Sequence, residues 1–255
     1  MPRYANRLQE LFQDPSRTPK PRQAGLTHVL DKGLSIAEVE GLLEVAAPYV
    51  DIIKFGWGTS VVTENLEAKI ALCQREGVDI YCGGSLFELA LQRGKVDDYV
   101  AYLKDRGIKL LEVSDGVVEL PPAEKLRYIS RLAKDFIVLS EVGSKDEAVV
   151  VSPTRWVKQI KAELEAGAWK VITEGRESGT VGLYRSSGEI RTGLIEEIEI
   201  QIDTSRLMFE APQKAQQVWL IKHFGSNVNL GNIPPSEVIA LETMRQGLRA
   251  DTMLK

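Results

Sequence analysis

The sequence predicts an α/β fold, a (β/α)8 TIM barrel in a single domain, and three observations favour it. Eight short apolar runs rich in β-branched residues each end in polar residues or glycine, and a helical pattern follows each run. The length of 255 residues suits one barrel, a fold that typically takes about 250 residues. An open doubly wound sheet would show the same alternation, but no G-x-G-x-x-G motif follows the first run.

The predicted strands and helices alternate along most of the chain. The strands are predicted at residues 26–31, 50–56, 78–84, 108–115, 136–143, 168–175, 206–211 and 226–231. The helices are predicted at residues 35–47, 61–76, 86–106, 123–134, 153–166, 194–201, 213–223 and 236–247. Ser35 with Glu38, and Ser152 with Pro153, are helix start signals. We assign residues 1–23 to an N-terminal arm with a short helix and residues 24–255 to the barrel domain.

Composition and charge argue against several classes of protein. The net charge of -4 gives no electrostatic reason to expect a nucleic-acid partner. No apolar stretch approaches the roughly 18 residues of a membrane span, and residues 1–21 lack the apolar core of a signal peptide. Cys73 and Cys82 lack metal or redox spacing, which suits a reducing compartment. We expect a cytoplasmic protein that acts on small molecules without nucleic-acid or membrane partners, and we expect it to form a homo-oligomer.

Charged side chains collect at the C-terminal ends of the predicted strands, where barrel enzymes carry their chemistry. The carboxylates at these ends are Asp31, Glu112, Asp115, Glu141, Glu174, Glu177 and Glu210. Buried carboxylates that converge on one barrel mouth need positive partners, because an unpaired buried charge is costly. Oxygen ligands without a Cys or His cluster favour Mg²⁺ over zinc. We predict Glu112, Glu141 and Glu174, from three consecutive strands, as the metal ligands; ion pairs with rim lysines are the alternative.

Glycine-rich loops and cations at the same ends indicate anion binding. The glycine-rich residues 56–60, 83–85 and 231–232 each join a predicted strand to a helix, where free N–H groups hold anions. The predicted substrate-binding residues are Lys32, Arg176, Lys214, Gly231 and Asn232, although Lys214 could equally be a solvated residue of a first helical turn. The irregular residues 175–193 suggest a lid over the site.

Other catalytic schemes fit the sequence less well. His28 and His223 fall on different predicted elements, so we interpret them as packing or surface residues rather than as parts of one triad. No G-x-S-x-G nucleophile elbow occurs. A Schiff-base lysine stays open, because Lys54 and Lys170 lie on predicted strands.

At its strand ends the chain resembles the phosphosulfolactate synthases of coenzyme M and sulfolactate biosynthesis. The similar segments include Val29-Leu30-Asp31-Lys32-Gly33, Lys54-Phe55-Gly56-Trp57-Gly58-Thr59-Ser60, Glu141-Val142-Gly143, Glu174-Gly175-Arg176-Glu177-Ser178-Gly179 and Phe209-Glu210-Ala211-Pro212-Gln213-Lys214. Several of these segments are long and uncommon, which makes the resemblance specific to the family.

The resemblance implies a lyase with a (β/α)8 barrel that adds sulfite to phosphoenolpyruvate in a Mg²⁺-dependent step and forms phosphosulfolactate. It also implies a proton-donating lysine shortly after Glu141-Val142-Gly143, at Lys145, and Lys54 is the second catalytic candidate. Two alternatives stay open. One is a barrel enzyme acting on another phosphorylated three-carbon acid, and the other is a non-catalytic, stress-related homologue.

Overall fold

Eight parallel strands form a nearly closed barrel, which confirms the predicted (β/α)8 fold. The computed structural model describes residues 7–144 and 151–253. The strands are β1 (Thr27–Asp31), β2 (Ile52–Phe55), β3 (Asp79–Tyr81), β4 (Leu110–Val113), β5 (Ile137–Val142), β6 (Lys170–Thr173), β7 (Leu207–Glu210) and β8 (Leu230–Ile233). They are hydrogen-bonded in the order β3-β2-β1-β8-β7-β6-β5-β4, and β3 packs beside β4 to bring the ring close to closure.

Helices follow the strands and cover the outside of the barrel. They are α1 (Arg7–Phe12), α2 (Ile36–Ala46), α3 (Thr59–Val62), α4 (Leu66–Arg75), α5 (Gly84–Gln92), α6 (Val96–Asp105), α7 (Pro122–Leu132), α8 (Pro153–Glu165), α9 (Thr192–Gln201), α10 (Lys214–Phe224) and α11 (Val238–Arg245). Ser35 and Glu38 form the predicted capping box of α2, and Ser152 caps α8. None of the helices in the described ranges has the length and apolar composition needed to cross a membrane.

Two helices that were predicted as continuous are each divided. The pattern over residues 61–76 is interrupted before α4 by Asn65, whose φ of 56° is left-handed. The pattern over residues 86–106 is interrupted at Gly94, which has a φ of 63°. There Lys95 N donates to Ala90 O at 2.7 Å, a closing bond of the Schellman type that ends α5. Apolar periodicity continues through both breaks, so the pattern alone did not reveal them.

The prediction for the eighth strand was displaced toward the N-terminus. Residues 226–231 were predicted, whereas β8 covers Leu230–Ile233. Asn229, which was predicted inside the strand, lies just before it, and its side-chain amide hydrogen-bonds to the backbone of Leu26, before β1, and of Leu207 in β7. A Cβ on Gly231, inside β8, would lie 2.9 Å from His28 Nδ1, so close packing across the barrel favours glycine there.

The strand residues inside the barrel form two layers. The apolar layer consists of Leu26, Ile52, Tyr81, Leu110, Leu139, Ile172 and Met208. Residues two apart along a strand share a face. Two positions further along β2, β4, β5, β6 and β7, the charged layer consists of Lys54, Glu112, Glu141, Glu174 and Glu210. These charged residues lie at the C-terminal ends of the strands, which we call the mouth.

The N-terminal arm packs against the opposite end of the barrel, which we call the floor. Arg17 forms a salt bridge of 3.0 Å with Glu242 of α11 and donates to the carbonyl oxygen of Gly25 at 2.9 Å. Arg22 pairs with Asp51, just before β2, at 3.2 Å. These buried contacts tie the arm to the beginning of the strands and leave the mouth uncovered by it.

Candidate active site

A cavity of about 260 Å³ opens at the mouth. It is lined by Leu30, Lys54, Trp57, Gly83, Gly84, Ser85, Glu112, Val117, Glu141, Glu174, Arg176, Glu177, Glu210 and Asn232. Each of the eight strands, or the loop that follows it, supplies at least one of these residues. The cavity is therefore the meeting point of the whole barrel, at the face where barrel enzymes bind their substrates.

Three buried carboxylates meet in this cavity. Glu141, Glu174 and Glu210 each place a carboxylate oxygen within 4.8 Å of the other two. Backbone amides hold two of them: Gly175 N donates to Glu210 Oε2 at 2.9 Å and Arg176 N donates to Glu174 Oε1 at 2.6 Å. Because hydrogen bonds from backbone amides fix two of these side chains, the cluster is preorganised to share a cation.

One ammonium lies among the carboxylates. Lys54 Nζ is 3.3 Å from Glu112 Oε2 and 3.6 Å from Glu210 Oε1. Burial alone would lower the pKa of Lys54, but the surrounding carboxylates outweigh it and hold this pKa above its ordinary value. Burial raises the pKa of Glu210, against the opposing effect of Lys54. Lys54 thus remains charged at neutral pH, and among the described residues that line the cavity the carboxylates outnumber the cations.

The predicted metal ligands do not all lie in the carboxylate cluster. Glu141 and Glu174 belong to it, and the third member is Glu210 from β7. Glu112 instead pairs with Lys54 and accepts a hydrogen bond from Tyr81 OH at 2.7 Å. All four residues occupy equivalent positions at strand ends, so the sequence could not decide which three oxygen atoms converge. That choice depends on the stagger of the strands around the barrel.

Two of the predicted anion-binding residues line the cavity. Arg176 has a left-handed φ of 58°, and among the described residues its guanidinium has no ion-pair partner. Asn232 also has a left-handed φ, 53°, and its buried Oδ1 accepts no hydrogen bond from any described residue. Gly231 lies behind Asn232, against His28. Among the described residues, Arg176 and Asn232 are thus the predicted anion-binding residues that line the cavity.

The other predicted cations lie away from the cavity wall. Lys32 is exposed at the rim, with its ammonium 5.1 Å from the centre of the Trp57 ring. Lys214 begins α10 and pairs with Asp251 at 2.9 Å, outside the cavity lining. Lys145 lies outside the described residues, so its placement stays a prediction.

The segment expected to form a lid is packed against the barrel. Within residues 175–193, Val181, Leu183 and Tyr184 are buried. Gln216 of α10 donates to the carbonyl oxygen of Gly179 at 2.7 Å and anchors the loop. Arg176, at its beginning, projects from a well-fixed segment.

Sequence reasoning missed the role of Glu88 in shaping the cavity wall. Glu88, buried on α5, accepts hydrogen bonds from Val117 N at 2.6 Å and Val118 N at 2.7 Å. Its other oxygen accepts from Ser114 Oγ at 2.5 Å. This carboxylate fixes the loop after β4, which carries Val117 to the cavity. A glutamate at a buried helical position was the available signal.

Comparisons with known proteins agree with the resemblance at the strand ends. The model of the family described as (2R)-phospho-3-sulfolactate synthase (ComA) matches residues 15–251. A phosphosulfolactate synthase of Bacillus subtilis (strain 168) is 43% identical over 241 residues, covering 93% of this chain and 96% of that protein. A phosphosulfolactate synthase of Methanothermobacter thermautotrophicus is 43% identical over 250 residues, covering 96% of this chain and 97% of that protein.

Among solved structures, the YdjI aldolase from Escherichia coli K12 matches the fold with a TM-score of 0.57 and 12% sequence identity. The match covers 86% of this chain and 78% of that chain, and it concerns the fold alone. The family match and the two relatives span nearly the whole chain, and the protein belongs to the (2R)-phospho-3-sulfolactate synthase family of enzymes.

Proposed function

We propose that this enzyme catalyses the Mg²⁺-dependent addition of sulfite to phosphoenolpyruvate and forms (2R)-phospho-3-sulfolactate. The proposal rests on the buried carboxylate cluster of Glu141, Glu174 and Glu210, in the cavity at the barrel mouth of a chain from this family. The same cavity holds a protonated lysine and two polar side chains available to a ligand. This combination suits a small, highly anionic substrate.

The carboxylate cluster fits Mg²⁺ in donor type and in spacing. Mg²⁺ binds oxygen ligands at about 2.0–2.1 Å, so oxygen atoms on opposite sides of the ion lie about 4.2 Å apart. The oxygen atoms of Glu141, Glu174 and Glu210 lie within 4.8 Å of one another, so small side-chain rotations suffice. Bound there, Mg²⁺ supplies Lewis-acid stabilisation of negative charge on a substrate carboxylate. Glu210 replaces Glu112 in the proposed ligand set.

The remaining polar groups divide the substrate between them. Arg176 and Asn232 bind the phosphate, at the side of the barrel where phosphate sites of this fold often lie. The Lys54 ammonium donates to the substrate carboxylate, since two of its protons face Glu112 and Glu210 and the third is available to the cavity. Lys32 at the rim attracts the anions toward a mouth whose inner wall is negative.

The addition forms one bond before it moves a proton. The sulfur lone pair of sulfite attacks the methylene carbon and forms the C–S bond. The electron pair of the C=C bond moves to the neighbouring carbon and into the carboxylate, where negative charge develops. Lys54 stabilises this charge by a hydrogen bond that strengthens as the charge grows. A proton then adds to the carbon that bears the phosphate, and the phosphate ester stays intact.

Lys145 remains the proposed donor of that proton. Lys54 is a poor donor, because its raised pKa makes the ammonium hold its proton. Replacing Lys145 by alanine should lower turnover by about 10²- to 10⁴-fold, the usual contribution of a positioned acid. Substrate affinity should change little, since the proton moves only after the C–S bond has formed.

A direct assay tests the function. Purified protein is mixed with phosphoenolpyruvate, sulfite and Mg²⁺, and the products are followed by ³¹P NMR and mass spectrometry. The expected product is phosphorylated and has the summed mass of phosphoenolpyruvate and sulfurous acid. Removal of Mg²⁺ with EDTA should abolish its formation.

Matched variants locate the metal. Glu141→Gln, Glu174→Gln and Glu210→Gln should each weaken the response to Mg²⁺, whereas the exposed Glu196→Gln should match the wild type. If phosphoenolpyruvate binds but sulfite is not incorporated, the enzyme acts on another phosphorylated acid. If neither molecule binds, the proposed function is wrong.

A further inference from the structure

A continuous chain of hydrogen bonds crosses the barrel beneath the cavity. Asn232 N lies 3.2 Å from His28 Nδ1. On the other side of the imidazole, His28 Nε2 lies 3.0 Å from Tyr81 OH. Tyr81 OH lies 2.7 Å from Glu112 Oε2, which also faces Lys54 Nζ at 3.3 Å. These hydrogen bonds join β8 to the ion pair between β2 and β4, and the imidazole and the phenol are fully buried.

Simple donor rules give this chain one direction. A backbone amide only donates, so His28 Nδ1 must carry the lone pair. Burial and the nearby Lys54 lower the pKa of His28 well below its ordinary value, so the ring is neutral and its proton is on Nε2. That proton is donated to Tyr81, whose own hydroxyl proton is then donated to Glu112. The reverse order of donors is excluded by the amide at one end and the carboxylate at the other.

The chain leaves one oxygen of Glu112 uncommitted. Its Oε2 is occupied by Tyr81 and Lys54, whereas its buried Oε1 has no hydrogen-bond partner in the described part of the chain. Oε1 lies at the beginning of α5, where a Cβ added to Gly84 would approach it to 2.2 Å. The contacts of Oε2 with Tyr81 and Lys54 hold Glu112 in one orientation.

We propose that His28 and Tyr81 are positioning residues, which fix Glu112 and, through it, the ammonium of Lys54 at the place where charge develops on the substrate. This inference rests on the proposed function, because it assigns these hydrogen bonds a part in the addition of sulfite to phosphoenolpyruvate. A group misplaced by about 1 Å in an active site costs on the order of 10²-fold in rate. Loss of the Tyr81–Glu112 hydrogen bond should therefore lower kcat, whereas KM should change little because Arg176 and Asn232, the proposed phosphate ligands, lie outside that contact.

Conservative variants separate positioning from packing. Tyr81→Phe keeps the ring but removes the hydroxyl, and it should lower kcat by about 10- to 100-fold with KM within about threefold. His28→Gln keeps a donor toward Tyr81, whereas His28→Met fills a similar volume without one, so His28→Gln should retain the higher kcat. Tyr99→Phe is the matched control, because it removes the hydroxyl of a partly buried tyrosine that faces Cys82 outside the cavity. Urea denaturation of each variant shows whether it is folded.

The imidazole of His28 is a second readout that does not depend on activity. The chain contains two histidines, so a long-range ¹H–¹⁵N spectrum of the full-length protein resolves both rings. The expected signal for His28 at neutral pH is the neutral form with the proton on Nε2. A charged ring, or a proton on Nδ1, would contradict the proposed direction of the hydrogen bonds.

Kinetic results distinguish this inference from the proposed function. The assay of the wild-type protein, with phosphoenolpyruvate, sulfite and Mg²⁺, decides by itself whether the addition occurs. In an active enzyme, a kcat of Tyr81→Phe that matches Tyr99→Phe, or equal kcat values for the two His28 variants, would refute positioning. If the wild type is inactive, positioning in this reaction is refuted together with the function, and the spectrum still decides the direction of the hydrogen bonds.

Discussion

At the floor of the barrel the buried guanidinium groups of Arg17, Arg22 and Arg245 contact carboxylates or backbone carbonyl oxygens, whereas at the mouth four buried glutamates surround the ammonium of Lys54. Arg17 and Arg22 each face a carboxylate, and Arg245 donates to three backbone carbonyl oxygens. Among the described residues that line the cavity, carboxylates outnumber cations. Contacts with opposite charges and carbonyl oxygens stabilise the fold at the floor, whereas the carboxylate cluster at the mouth is spaced to share a cation.

Strand β6 shows the same contrast within a few residues. Lys170, Ile172 and Glu174 share the inner face and run from the floor to the mouth. Helices that follow the strands begin at the mouth and return to the floor, so their positive ends lie near the carboxylates and their negative ends lie near the cations. The sorting of charge thus follows from the direction of the chain. What separates the mouth from the floor is the balance between carboxylates and cations.

Breaking the floor should produce the largest loss of stability. Arg17→Met removes the partner of the buried Glu242, and an unpaired buried charge costs about 3–5 kcal/mol. The free energy of unfolding, measured by urea denaturation, should fall by that amount, whereas the kcat of the folded fraction should match the wild type. The surface ion pair of Arg106 and Glu67 supplies the control, because water screens such a pair and Arg106→Met should therefore cost far less than Arg17→Met. Equal losses in the two variants would contradict the assignment of the floor to stability.

The barrel and its eight strands were predictable because the alternation of strand and helix patterns is local in sequence. So was the location of the site, since charged residues follow apolar ones by two positions on several strands, as in Ile172 and Glu174. The breaks at Asn65 and Gly94 were not, because single left-handed residues scarcely disturb apolar periodicity.

The sequence could not show which glutamates form the carboxylate cluster, for a different reason. Which glutamates converge depends on stagger and on partners from distant strands, such as Tyr81 for Glu112. The interpretation of His28 as a packing residue missed its hydrogen bonds, because its partners Tyr81 and Asn232 lie far away along the chain. Pairing between remote residues is a property of the folded barrel.

A pH effect at the floor should be intermediate in size. Burial and the nearby Arg206 lower the pKa of Lys170 from 10.5 to about 8. The folded state therefore binds fewer protons than the unfolded state between pH 8 and 10.5, and stability should rise with pH across this window. The gain should be about 2 kcal/mol, after allowance for solvent screening. Lys170→Met should remove this rise relative to the wild type, while Asn229 still donates to the Ser205 carbonyl that Lys170 contacts. Identical pH slopes for the two proteins would argue against a strained ammonium.

The same substitution at the two ends gives the smallest effect and the sharpest contrast. Glu210→Gln removes one charge from the crowded mouth and keeps an oxygen that accepts from Gly175 N. Because like charges repel there, the free energy of unfolding at pH 7 with EDTA should stay level or rise by up to about 1 kcal/mol. Glu242→Gln at the floor should instead destabilise the protein, since Arg17 loses its counter-charge.

Mg²⁺ should raise the Tm of the wild type and of Glu242→Gln but not that of Glu210→Gln, because a ligand stabilises only the folded state that binds it. If Glu210→Gln destabilised the protein as much as Glu242→Gln does, the carboxylates of the mouth would be held by ion pairs, as the carboxylates of the floor are. They would then not be kept open for a metal.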